Sequence, residues 1–118
     1  MAESNEIQLK RGVLELCVLA LLARGDSYAY EIATRLAAEI GMGEGTIYPL
    51  MRRMQADGLL EDYLVESSSG PPRRYYRLSK AGRTSLSSQR ESWEVFSRAI
   101  DRILKRPSSR SRHAGGAA

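Results

Sequence analysis

The sequence is poor in the residues that build covalent or metal-held frameworks. It has one cysteine, Cys17, and one histidine, His113. A lone cysteine cannot close an internal disulfide, and one cysteine with one histidine falls short of the four ligands of a structural zinc site. A single thiol fits a reducing compartment, so the expected location is cytoplasmic. The longest unbroken apolar run, Leu16 to Ala23, is eight residues, against roughly 20 for a membrane-spanning helix. No membrane partner is expected. The N-terminus has no basic start, apolar core and small-residue cleavage site of a secretory signal. A glycine-rich phosphate loop is missing, as is any Ser/His/Asp or Cys/His set. The chain is therefore expected not to be an enzyme and to need no metal or cofactor.

What remains is a chain of 118 residues, 42% hydrophobic and 27% charged, enough for one domain with one modest core. Its charge is divided. Residues 1–66 carry 6 basic and 11 acidic side chains, a net of −5, whereas residues 67–118 carry 12 basic and 3 acidic, a net of +9. A basic half points to a polyanion partner, or to a solvated surface.

Periodicity places four helices and one hairpin. Asn5 and Gln8 have the spacing of a capping box, opening a helix that runs to Arg24 and stops at Gly25. The apolar run within it predicts a central core helix with Cys17 buried. Ser27 is the expected N-cap of a second helix, with Ile32, Leu36 and Ile40 on one face. A third helix, regular from Thr46, places Ile47, Leu50, Met51 and Met54 on one stripe and ends at Gly58. Leu60 to Glu66 and Arg73 to Leu78 read as the two strands of a hairpin, joined by Ser67-Ser68-Ser69-Gly70-Pro71-Pro72. Tyr75 and Tyr76 fall on opposite faces of the second strand. Ser79 then caps a helix reaching Arg106, about 40 Å long. Along it Leu86, Trp93 and Ile100 recur every seven residues, as do Phe96 and Ile103, the pattern of a seam with a partner helix.

The predicted fold class is mainly α with a small β-hairpin. The expected division is a winged helix-turn-helix over residues 1–78, a C-terminal dimerisation helix over 79–106 and a disordered tail over 107–118. In such a fold the third helix fits the DNA major groove and the hairpin reaches the adjacent backbone. Winged helices also serve as protein-interaction modules, which is the alternative reading. The third helix offers Glu44, Thr46, Tyr48, Arg52 and Arg53 off its apolar stripe. Arginine takes guanine or phosphate in bidentate fashion, and hydroxyls suit phosphates. The plainer reading of Arg52 and Arg53 is a solvent-facing pair that the helix dipole favours, and of Glu44 a first-turn dipole partner. Gly70 lets the loop approach a backbone closely, and Arg73, Arg74 and Arg77 put three guanidinium groups within five residues, the composition of a phosphate site. Lys10 and Arg11, ahead of the first helix's apolar part, suit phosphate or solvent equally. Tyr28 and Tyr30 suit either core or phosphate.

From Lys10 to Leu104 the chain resembles the PadR family of bacterial transcriptional regulators. Tyr30-Glu31-Ile32 is similar to its Gly-Tyr-Glu-Ile segment, with Ala29 in place of the glycine. Gly45-Thr46-Ile47-Tyr48-Pro49-Leu50 is similar to its recognition-helix signature. Gly70-Pro71-Pro72-Arg73-Arg74-Tyr75-Tyr76-Arg77-Leu78-Ser79 is similar to its wing, with Arg74 where lysine is common. The resemblance implies a homodimer that binds an inverted repeat in a promoter and represses. It implies that Tyr30, Thr46, Tyr48, Gly70 and Arg73 belong to the DNA surface, and it favours Lys10 and Arg11 there. A single C-terminal helix is that of the short branch, some members of which sense aromatic compounds between their C-terminal helices through a tryptophan. Trp93 occupies a comparable place, with Phe96 beside it as a further ligand contact. Trp93 also reads as plain dimer core.

Overall fold

In the computed structural model, residue 10 and residues 12–105 are described. Arg11, the Asn5/Gln8 capping box, Arg106 and the 107–118 tail lie outside them.

Helix α1 spans Leu14–Arg24 and ends at Gly25, whose N–H donates to the Leu22 carbonyl at 3.2 Å. Leu14, Val18, Leu19 and Leu22 form its buried stripe. The all-apolar run predicts enclosure on every side, but Leu16, Cys17, Ala20 and Leu21 are only half-buried. A helix on the flank of a core buries one stripe. Cys17 is thus partly covered, and that burial pushes its thiol pKa up.

Ser27 does not cap the second helix. Ser27–Tyr28 form a short strand, β1, and α2 follows directly over Ala29–Ile40. The Ser27 hydroxyl donates to Glu31 Oε1 at 2.7 Å. Ile32, Ala33 and Leu36 face the core, and Gly41, at φ +73°, ends the helix in the left-handed region glycine tolerates.

Helix α3 runs over Glu44–Ala56, two residues earlier than its sequence suggests. The N–H groups of Thr46 and Ile47 both donate to the Gly43 carbonyl, at 3.1 and 3.0 Å, and close the first turn. Pro49 therefore sits inside the helix, where it removes one bond to the Gly45 carbonyl and costs about 3 kcal/mol. Ile47, Met51 and Met54 are completely buried. Each contributes about 1.5–3 kcal/mol, so packing outweighs the proline.

Strands β2 (Leu60–Val65) and β3 (Arg73–Leu78) form the expected hairpin. Beyond it, β1 pairs with the other edge of β3, giving a three-stranded antiparallel sheet of order β1-β3-β2. Leu60 lies opposite Leu78, Asp62 opposite Tyr76 and Tyr63 opposite Tyr75. Alternation sends Leu60, Tyr76 and Leu78 into the core and leaves Tyr75 on the other face.

Helix α4 spans Lys80–Leu104. Ser79 caps it as expected: its Oγ accepts the Gly82 N–H at 3.0 Å and donates to the Gly58 carbonyl at 2.6 Å. The described chain divides into two units, one ending at Ser88 and one beginning at Gln89. The first holds the whole core, including Leu86, and buries no charged or polar residue. The second is the C-terminal part of α4, on which Trp93, Val95, Phe96, Ile103 and Leu104 are exposed.

Candidate nucleic-acid interface

The first two turns of α3 stand between two open clefts. One, of about 510 Å³, is lined by Leu14, Glu15, Gly45, Thr46, Pro49, Leu50 and Arg53. The other, of about 370 Å³, is lined by Tyr30, Ala33, Thr34, Ala37, Gly43 and Glu44. The helix end is thus a ridge. An α-helix with side chains is about 10–12 Å across and the B-DNA major groove about 12 Å wide, so a ridge clear on both sides can enter the groove.

Of the residues expected to contact DNA, Thr46 and Arg53 line the first cleft, and Glu44 and Tyr30 the second. Glu44 is exposed, Thr46 and Tyr48 are half-buried, and Arg52 and Arg53 are exposed. Tyr30 projects from α2 with 57% of its surface accessible. Burial first, then the charge of Glu44 and the neighbouring Tyr30, holds the Tyr48 hydroxyl above the ordinary phenol pKa, so it stays a donor through neutral pH. Arg53 reaches back to Glu15 Oε1 at 3.2 Å. Among the described residues Arg52 has no carboxylate partner.

The wing arginines differ in their surroundings. Arg74 donates to the Asp62 carboxylate on the same face of the sheet, and this bond holds the Asp62 pKa below the ordinary carboxylate value. Arg77 donates to Glu61 Oε1 at 3.1 Å and lies over the Tyr63 ring at 5.1 Å. Arg73 has no carboxylate partner among the described residues; its guanidinium stands 4.7 Å from the Tyr28 ring centroid. Gly70 is exposed, and a Cβ there would meet nothing within 4 Å. Nothing among the described residues requires glycine at that point.

Two expected residues have neighbours that spacing and charge do not announce. Lys10 is half-buried, its Nζ beside Gly41 at the C-terminal end of α2, where a helix dipole favours a cation. Leu86, placed on the partner seam by its heptad position, is only 7% exposed and packs into the core of its own chain. It continues the core stripe of α4 because the first turns of that helix lie against the sheet-bearing unit. Arg11 lies outside the described residues.

The carboxylates that neutralise Arg53, Arg74 and Arg77 escape a motif-level reading. Hairpin register holds the signal for two of them, since pairing Leu60 with Leu78 sets Glu61 opposite Arg77 and Asp62 diagonal to Arg74. Asp26, which accepts the Tyr63 hydroxyl at 2.6 Å, has no such signal.

Residues 18–88, more than half of the chain, match the transcriptional regulator PadR-like family. The chain belongs to that family. Among solved structures, a PadR-like transcriptional regulator from Bacillus cereus is 37% identical and superposes with a TM-score of 0.76, covering 84% of this chain and 98% of that one. A Streptococcus transcriptional regulator is 31% identical with a TM-score of 0.74, over 86% and 99% of the two chains. A transcriptional regulator of Mycobacterium tuberculosis is 41% identical over 58 residues, 48% of this chain and 51% of that protein. This PadR-like protein is therefore a transcriptional regulator with a winged-helix fold and a long C-terminal helix, and its relatives are not enzymes. No helix among the described residues is long and apolar enough to cross a membrane.

Proposed function

We propose that this PadR-like regulator acts in the cytoplasm as a homodimer, binding an inverted-repeat operator in double-stranded DNA and repressing the promoter there. The observation that carries the reading is the α3 ridge, with Glu44, Gly45, Thr46 and Pro49 between two clefts and Tyr30 beside it. Tyr30, Thr46 and Tyr48 supply hydroxyls for phosphates, Arg52 and Arg53 reach base edges or phosphates, and Glu44 accepts from a cytosine amine. Gly70, Arg73 and Arg74 place the wing on the adjacent backbone, with Lys10 and Arg11 adding phosphate contacts at the start of the chain. Two such subunits would read half-sites about one helical turn, roughly 34 Å, apart.

Residues 1–78 then form the DNA-binding part, 79–106 the dimerisation helix and 107–118 a tail. Trp93, Phe96, Ile100 and Ile103 make the dimer seam, three of them with large exposed apolar surfaces in the single chain. Leu86 is not needed for it. A small aromatic effector would enter between the paired helices beside Trp93 and Phe96 and lower operator affinity.

The test is a mobility shift with duplex DNA from directly upstream of the protein's own coding sequence, compared with a shuffled duplex of the same composition. Tighter binding to the upstream duplex is expected. Equal affinity would reject specific repression there. No binding to either duplex at low salt would favour a protein-docking winged helix instead.

A further inference from the structure

We propose that Tyr28 is a positioning residue for DNA binding: its ring holds the Arg73 guanidinium in place at the base of the wing, charged and ready for a backbone phosphate. This rests on the wing–DNA contact proposed above.

Three arginines lie close together on β3, but two are already matched in charge. Arg74 is bound to Asp62 and Arg77 to Glu61. Arg77 also lies over a ring, that of Tyr63, but Arg73 alone of the three rests on an aromatic face, 4.7 Å from the Tyr28 centroid, with no carboxylate partner among the described residues. An aromatic face attracts a cation without cancelling its charge. The guanidinium therefore keeps its full attraction for a phosphate while losing much of the rotamer freedom that binding would otherwise have to remove. A carboxylate partner would have ordered it equally well and neutralised it.

Tyr28 is itself held. Strand β1 sets it opposite Tyr75, with ring centroids 5.5 Å apart. Tyr75 stacks on Tyr63 at 6.0 Å, and the Tyr63 hydroxyl is fixed to Asp26 at 2.6 Å. One tyrosine from each strand thus forms a row across the outer face of the sheet, with Arg73 at one end. Tyr28 also directly precedes α2, which carries Tyr30, so the row ties the wing to that helix.

The experiment measures binding to a mixed-sequence duplex at low salt for Tyr28→Phe, Tyr28→Leu, Arg73→Ala and the Tyr28→Leu/Arg73→Ala double variant, with thermal melts in parallel. Tyr28→Phe is expected to bind like the parent. Tyr28→Leu should lose about two- to fivefold in affinity, and nothing further when Arg73 is already alanine. Parental affinity in Tyr28→Leu, a loss additive with Arg73→Ala, or an equal loss in Tyr28→Phe would overturn the positioning role. If Arg73→Ala itself binds like the parent, the wing–DNA contact fails, and the proposal with it. Should Tyr28→Leu melt too early to assay, a series of fluorinated phenylalanines at 28 weakens the ring's negative face at nearly constant volume. Affinity should fall with each fluorine, and a flat series would overturn the proposal.

Discussion

The Arg74 guanidinium donates to the carboxylate of Asp62, its diagonal neighbour across the β2–β3 ladder. The pair makes the wing less positive than its three arginines suggest. It also ties Asp62 to pH, because this hydrogen bond, ahead of the other influences, lowers the Asp62 pKa. A carboxyl whose pKa falls on folding adds stability above its unfolded value, and the gain is lost as pH drops through the lowered folded value. Asp62→Asn should therefore cost stability at neutral pH, by less than about 1 kcal/mol for so exposed an ion pair. The gap to the parent should close in acid below the ordinary carboxylate range. Thermal midpoints across that range check this. The same variant releases Arg74 and should bind duplex DNA more tightly at low salt, with a salt slope steeper by about 1.

Gly82 is expected to tolerate no side chain. A Cβ there would stand 2.2 Å from the Leu59 carbonyl oxygen, which is backbone and already accepts the Ser79 N–H at 3.0 Å. Gly82→Ala should destabilise by at least about 2 kcal/mol through overpacking. Ser79→Ala, which removes the cap bond to Gly82, should cost about 1 kcal/mol. Urea denaturation of both variants measures the two losses, and the larger should belong to Gly82→Ala.

Gly45 is a different kind of glycine. It lies in the first turn of α3, exposed, and a Cβ there would meet nothing within 4 Å. The fold is better served by alanine, since glycine in a helix costs up to about 1 kcal/mol. Gly45→Ala should leave stability unchanged or slightly raised while lowering operator affinity, because the added methyl stands on the ridge proposed to enter the groove. On one preparation, a binding titration should show the loss while the melting temperature stays level or rises.

Ile103 is 73% exposed in the single chain and falls on the proposed seam. Ile103→Asp places two charges in that seam, one from each subunit, and should shift the protein from dimer to monomer in sedimentation velocity. Operator affinity should fall with it, since half-sites would then be bound singly. The fold of the first unit should persist, as its core draws nothing from Ile103.

Trp93 is 44% exposed and is the chain's only tryptophan. Its fluorescence should be quenched or shifted on titration with planar aromatic compounds, and Phe96→Ala should weaken that response. An unchanged spectrum across a broad panel would reject an effector site at this position.

What could be read from residues alone is local. The Ser79 cap spans three residues to Gly82, and the left-handed stop at Gly58 requires only that glycine. The opposite facing of Tyr75 and Tyr76 follows from strand alternation. Motif likeness marked the α3 and wing residues in the same way. The readings that changed all depend on distant segments. Ser27 looks like a helix cap until the open edge of β3 offers its backbone a partner at Tyr76. Leu86 has the right spacing for a seam, yet spacing does not say which surface covers it.

Sequence, then, determined the four helices, the β2–β3 hairpin and their order, because hydrophobic period, caps and turn residues act over a few positions, and its motifs carried the likeness to the family. Tertiary structure alone decided which cations are matched by a carboxylate: Arg53 meets Glu15 from 38 residues away, Arg74 meets Asp62 across the hairpin, and Arg73, among the described residues, meets the ring of Tyr28 and no carboxylate. Charge and stacking act through space, and only the folded chain brings residues so far apart to within a few ångströms of one another.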